Sequence, residues 1–321
     1  MHNVLVTGIG GNVGYGILKN IRSCYPDISL VGTNTSRISA GNHLCDVVYE
    51  VPFSTDEAYL PAMQKICHDH SIDLIIPSTD YEIYILALHQ NILPTVAASP
   101  ADTSRAFLDK YLSFHVLNSL GLSFATSILP SAYNYEFGEC IVKPREGRGS
   151  RNIFVNPDDV SSFGDDYVVQ PLLKGKEITT AFYVTKNNDL HGHITMERSL
   201  SGGATVMCEV TTEFDKDLNS YLRTLTANIE IKGSCNLQSI VTADGIIPFE
   251  VNCRISGTNS IRSQFGFRDV SYTIDEYLYG KYPEPPQVIK GSALRILYDV
   301  IYPGIKLSDI NNASDNFHIY G

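Results

Sequence analysis

The period of the apolar pattern keeps switching along the first hundred residues. Residues 3–7 (NVLVT) form a short apolar run. Gly8-Ile9-Gly10-Gly11-Asn12-Val13-Gly14 follows, then a helical spacing that lasts to Arg22. Ile28 to Gly32 is a second run, 57–70 a helical pattern, 72–76 (IDLII) a third run closed by PSTD, and 81–90 a further helical pattern. Short, continuous apolar runs read as strands buried on both faces. Their alternation with helices predicts a parallel, doubly wound α/β sheet. This first unit is expected over residues 1–100.

The pattern then changes. Residues 104–120 (SRAFLDKYLSFHVLNSL) predict one amphipathic helix stopped by Gly121. Short strands are expected at 140–144 (CIVKP), 152–155 (NIFV), 167–170 (YVVQ), 177–184 (EITTAFYV) and 190–196 (LHGHITM). Residues 215–231 return to a helical spacing. Residues 234–252 read as two strands joined by Ala243-Asp244-Gly245, a hairpin signal. A helix is expected at 269–279, then a turn rich in proline (Pro283, Pro285, Pro286), and one strand at 293–302 in the tail. Strands and helices in this order predict α+β architecture, divided into a unit at 101–168 and another at 169–321.

Composition narrows the classes. The chain has 321 residues, 43% of them hydrophobic and 18% charged, with a net charge of −11. An acidic chain repels phosphate backbones and anionic lipid, so nucleic acid and membrane surfaces are not expected partners. The N-terminus lacks a basic region ahead of a long apolar core, and no run of about 18 apolar residues occurs, so neither a signal peptide nor a membrane span is expected. The seven cysteines are scattered without a CxxC pair. That points to a reducing, cytoplasmic setting rather than a disulfide frame or structural zinc.

The chemistry-bearing residues come in five groups: Asp109-Lys110; Lys143 at a strand end, followed by the basic glycine loop Pro144-Arg145-Glu146-Gly147-Arg148-Gly149-Ser150-Arg151; Gln170-Pro171-Leu172-Leu173 with Gly175-Lys176-Glu177; Arg198 with Gly202-Gly203; and Asn236-Leu237-Gln238 across the hairpin from Glu250-Val251-Asn252-Cys253-Arg254. Glu250 and Asn252 are two apart on a strand and face one side, with Gln238 able to face them from the next strand. Three oxygen ligands on one sheet face suit Mg2+, which fills the rest of its shell with phosphate and water. Lys143 supplies a point charge for phosphates, and Gly147 and Gly149 let backbone N–H groups close over them. No Walker A run is present. An acid, an amide and an arginine together suit phosphoryl transfer better than proton transfer.

The order DK, VKP with a glycine loop, a segment ending in GKE, then NLQ…FEVNCR resembles the ATP-grasp superfamily. It is most similar to stand-alone proteins like the carbamoyl-phosphate synthase large subunit. With LVTGIGGNVG and IIPSTD, the resemblance covers nearly the whole chain. It implies a Rossmann-like (pre-ATP-grasp) domain followed by the two α+β subdomains of an ATP-grasp fold. It also implies a ligase that uses ATP with Mg2+ (Mn2+ as a substitute) to join a small-molecule carboxylate to an amine, one of them an amino acid, through an acyl phosphate. Lys110 and Lys143 would then bind ATP phosphates, with Gly147, Arg148, Gly149 and Ser150 over them. Gln170, Leu172 and Leu173 would meet the adenine, and Glu177 the ribose. Gln238, Glu250 and Asn252 would hold the metal. Arg254 would stabilise the transferred phosphoryl group, and Arg198 would line the acceptor side. Gln170 stands where a glutamate is common in the family, and Thr180 where an acid is often found.

Two other readings stay open. The first glycine turn could seat a dinucleotide, with Thr35-Ser36-Arg37 suiting a 2′-phosphate and making an NADP-dependent reductase. A non-catalytic nucleotide-binding protein would use the same residues without turnover. Asp80 and Glu82, beyond the third strand, read as substrate contacts, or Asp80 as a helix N-cap. The loops at 146–151 and 199–204 are candidate lids. A homodimer is the default assembly.

Overall fold

The computed structural model describes residues 2–147 and 151–321. The first strands, β1 (Asn3–Val6), β2 (Ser29–Asn34), β3 (Val47–Glu50), β4 (Leu74–Ile76) and β5 (Thr95–Val96), form a five-stranded sheet in the order β3-β2-β1-β4-β5. Every pairing in it is parallel. Helices α1 (Asn12–Cys24), α2 (Tyr59–Asp69) and α3 (Asp80–Leu88) connect the strands. Val4, Val6 and Leu30 pack with Ile17, Leu18 and Ile21 of α1 on one face. Leu5, Val31 and Ile75 pack with Met63, Ile66, Ile83 and Leu86 on the other. Burial on both faces is why these strands read as unbroken apolar runs.

The segment expected as one helix at 104–120 is two, α4 (Ala101–Leu108) and α5 (Lys110–Ser119). Asp109 breaks it. With extended backbone (φ −107°, ψ 117°), its carboxylate accepts from Tyr111 N at 2.9 Å and Leu112 N at 3.2 Å, capping α5. An aspartate is a strong N-cap, and here the cap wins over the continuous apolar stripe.

Strands β6 (Cys140–Pro144), β7 (Phe154–Val155) and β8 (Tyr167–Pro171) make a small antiparallel sheet in the order β7-β6-β8. β8 runs across the expected division at residue 168. Strands β9 (Lys176–Val184), β10 (Leu190–Ser201), β11 (Ala204–Thr211), β12 (Gly233–Thr242), β13 (Gly245–Asn252) and β14 (Ser292–Leu294) make a six-stranded antiparallel sheet in the order β13-β12-β9-β10-β11-β14. The expected lid at 199–204 is the tight turn between β10 and β11, with Gly202 (φ 56°) and Gly203 (φ 76°) supplying the left-handed positions. Phe107 of α4, Leu117 of α5 and Phe124 are buried in one face of this large sheet with α6 (Asp215–Asn228).

Helix α8 (Asp269–Tyr277), which follows the short α7 (Asn259–Arg262), is wedged between two sheets. Val270 and Ile274 join the core of the parallel sheet, while Tyr272 packs with Tyr183 and Phe267 against the large sheet. Arg262, fully buried, donates to both carboxylate oxygens of Asp269 at the start of α8, at 3.1 and 2.5 Å. In the tail the single strand expected at 293–302 is divided between β14 and β15 (Asp299–Ile301), which pairs with β16 (His318–Tyr320). Among the described residues no helix is long and apolar enough to cross a membrane.

Candidate functional site

Register brings the motif residues together. Gln238 on β12 lies directly opposite Glu250 on β13, and Asn236 opposite Asn252. Because side chains alternate across a strand, Gln238, Glu250 and Asn252 share one face. Asn252 Nδ2 donates to Glu250 Oε1 at 3.0 Å, and Gln238 Nε2 donates to Asn252 Oδ1 at 3.2 Å. Arg198 Nη2 on β10 donates to Gln238 Oε1 at 2.5 Å and to Glu177 Oε1 on β9 at 2.7 Å. The result is one hydrogen-bonded row, Glu177–Arg198–Gln238–Asn252–Glu250, across four strands.

The small sheet faces this row. Lys143 is the penultimate residue of β6, and the cap at Asp109 makes Lys110 the first residue of α5. Both lysines are buried, each only 6% exposed. Lys110 Nζ donates to Arg145 O at 3.4 Å, and Lys143 Nζ stands 4.8 Å from the centre of the Phe249 ring. Burial, helped by the Lys110 charge and opposed by Glu250 and Glu177, pushes the Lys143 ammonium down to about 7. Burial pushes the Glu250 carboxyl upward, but Lys110, Lys143, the Asn252 hydrogen bond and Arg254 outweigh it and hold the group below the usual carboxylate range. Glu250 is therefore an anion at neutral pH.

A cavity of about 290 Å³ lies between the sheets. Lys110, Lys143, Gly147, Gln170, Leu172, Leu173, Glu177, Gln238 and Glu250 all line it. Gln170 is buried and donates through Nε2 to Ser127 Oγ at 2.8 Å, and Leu172 N donates to Glu139 O at 2.9 Å. Ile141, Ile153, Leu200, Ile240 and Phe249 complete the wall. Sequence reasoning passed over these apolar residues. Yet Ile141 sits two before Lys143, and Ile240 two after Gln238, so the strand period already placed them on the same face. Arg148, Gly149 and Ser150 lie outside the described residues.

Some expectations change. Arg198, expected to line the acceptor side, is bonded into the row with Glu177 and Gln238. Gln238, expected as a metal ligand, has its oxygen turned to that guanidinium. Arg254 is held by Asp80, whose Oδ2 takes Arg254 Nε at 2.7 Å and Nη2 at 2.7 Å. Thr79, not Asp80, caps α3 through its hydroxyl, which accepts from Glu82 N. Glu82 accepts from Thr7, Thr79 and Tyr59. Arg37, considered for a 2′-phosphate, donates to Asn311 Oδ1 of the tail at 2.9 Å. The first glycine turn opens on a cleft of about 1040 Å³, walled by Gly8, Gly11, Thr35, Thr79, Glu82 and, from loops of the small sheet, Arg145, Arg151 and Asp166.

Comparison with known proteins matches residues 107–258 to the family model described as ATP-grasp domain. Residues 4–96 match the model described as PylC-like, N-terminal domain. Among solved structures, an N5-carboxyaminoimidazole synthetase from Staphylococcus aureus complexed with ADP superposes with a TM-score of 0.75 at 13% identity, over 92% of this chain and 82% of that one. An ADP complex of N5-carboxyaminoimidazole ribonucleotide synthetase gives 0.74 at 13% identity, over 99% and 91%. The biotin carboxylase–β,γ-ATP complex from Campylobacter jejuni gives 0.71 at 13% identity, over 90% and 74%. At such identities the likeness is one of fold. No curated protein matches the chain in sequence.

Proposed function

From the premise that this chain belongs to the ATP-grasp superfamily, we propose that it is a ligase that uses ATP to join a carboxylate to an amine. A carboxylate oxygen attacks the γ-phosphorus and ADP leaves, giving an acyl phosphate. The amine nitrogen then attacks the acyl carbon to form the carbon–nitrogen bond, the acyl carbon–oxygen bond breaks with its electron pair leaving on phosphate, and the nitrogen gives up a proton. An amino acid serves as one of the two partners.

One observation carries the reading. A single cavity is lined by two buried lysines, an ionised half-buried glutamate, the residues at the join of two sheets, and an apolar wall. Lys110 and Lys143 hold the phosphates. The apolar wall and the backbone of Leu172 and Leu173 take the base. Gln170, its amide nitrogen committed to Ser127, offers its oxygen to the 6-amino group of adenine. Glu177 is positioned by Arg198 for the ribose hydroxyls. Arg254, fixed by Asp80, faces the transferred phosphoryl group. The work is placement and charge neutralisation rather than covalent catalysis.

The donor set also suits a divalent cation. Glu250 is a half-buried carboxylate kept ionised, and Asn252 is bonded beside it. These two residues would hold Mg2+, which neutralises charge on the β- and γ-phosphates when bound.

The test is ADP release over paired carboxylates and amines, with a coupled assay. Lys143→Ala and Glu250→Ala are expected to lower turnover by roughly 10²–10³-fold or more while circular dichroism is unchanged. Wild-type phosphate release by either variant would overturn these roles. Nucleotide binding with no ADP formed across the screen would favour a non-catalytic binder.

A further inference from the structure

The row of side chains on the large sheet carries two carboxylates, one guanidinium and two neutral amides. Glu250 is the one acid not ion-paired within the row, because Glu177 is paired with Arg198 at 2.7 Å. Gln238, directly across from Glu250, is neutral. Its oxygen already accepts from Arg198 Nη2 at 2.5 Å, and its nitrogen is given to Asn252. The Arg198 side chain is only 12% exposed, so its charge is weakly screened.

Resting on the ligase reading above, we infer that this site takes a single divalent cation, at Glu250 and Asn252, and that the Arg198 guanidinium stands in the place of a second. Two-metal phosphoryl-transfer sites set their ions about 3.5–4 Å apart, so that both neutralise one transferring group. Here a second ion beside Glu250 would have to bind the Gln238 oxygen. At a bond length of about 2.1 Å it would lie no more than ~4.6 Å from the guanidinium nitrogen on that same oxygen, and the two positive charges repel. Lys110 and Lys143, both buried, already offset part of the triphosphate charge. Arg198 is thus a positioning and charge-supplying residue. It orients Glu177 and Gln238 and contributes a fixed positive charge that needs no metal.

Counting bound Mn2+ by electron paramagnetic resonance, with a non-hydrolysable ATP analogue on the full chain, tests this. The wild type is expected to hold one Mn2+ per nucleotide-bound chain. Gln238→Glu, which restores a carboxylate opposite Glu250 and draws Arg198 to it as an ion pair, is expected to hold two. Arg198→Met is expected to bind the analogue at least tenfold more weakly at low Mn2+ and to regain affinity as Mn2+ rises, which a purely structural role would not produce. Two Mn2+ per chain in the wild type overturn the inference while leaving the ligase reading intact. So does an Arg198→Met protein that folds and binds with unchanged metal dependence. No nucleotide binding by the wild type overturns both.

Discussion

Lys143 is buried beside Lys110 in the cavity, and its proton affinity is lowered to about 7 from an ordinary 10.5. Between those two values the unfolded chain keeps a proton that the folded chain has lost. The unfolded state then binds more protons, so this group makes stability rise with pH from about 7 to about 10.5 and contributes no slope below. A phosphate anion reverses the situation by favouring the ammonium. ADP binding at pH 8 is therefore expected to take up about one proton, and almost none at pH 6. Calorimetry in buffers of different ionisation enthalpy measures this uptake, and Lys143→Met should abolish it. Uptake undiminished in that variant would assign the proton elsewhere.

The break at Asp109 shows how an element can depend on one side chain. Asp109 is 1% exposed, caps α5 and receives Arg145 Nη2 at 2.6 Å. Replacing it by alanine loses the cap, worth about 1 kcal/mol, and strands a guanidinium that is 24% exposed and so partly screened. A total loss of roughly 2–3 kcal/mol in urea denaturation is expected, with Asp109→Asn losing less because its oxygen still caps. The sequence signalled Asp109-Lys110 as a pair but not the break, since the apolar spacing runs through it. The long apolar strands and the hairpin at 234–252 were legible for the opposite reason: each is buried, and periodicity reports burial. β3 is only half-buried and β5 has two residues, so neither leaves a pattern. β11 does alternate, with Cys208 and Val210 buried, but it begins at a glycine pair that reads as a loop. Motif order placed Lys110, Lys143, Gln170, Glu177 and Glu250 around one cavity. It could not show that Arg198 belongs to the row or that Arg254 is tied to Asp80, because those bonds join residues 40 and 174 positions apart.

Across the whole molecule, the parallel sheet is locked to the ATP-grasp region at several points. Besides the Asp80–Arg254 pair, Asn259 of α7 reaches into α1. Its Nδ2 donates to Val13 O at 3.1 Å and to Ser256 O at 3.0 Å, and its Oδ1 accepts from Asn20 at 3.2 Å. Gly16 makes room for it: a Cβ there would stand 2.2 Å from Asn259 Oδ1. Gly16→Ala gains about 1 kcal/mol of helix propensity but must displace a fully buried, triply bonded side chain. A net destabilisation of about 1–2 kcal/mol is expected by thermal or urea unfolding. A stabilised variant would show that the contact between α1 and α7 is loose.

The chain crosses from the small sheet to the large one in the four residues between Pro171 and Lys176. Leu172 and Leu173 of that crossing line the cavity, and a Cβ at Gly175 (φ 155°) would stand 2.0 Å from Val241 O, so the large-sheet end of the tether is pinned. In the proposed reading, the link between the sheets and the seat of the base are one short stretch of backbone. A fluorescent purine lodged there would act as a goniometer, its emission following the angle between the two sheets with no dye attached to the polypeptide.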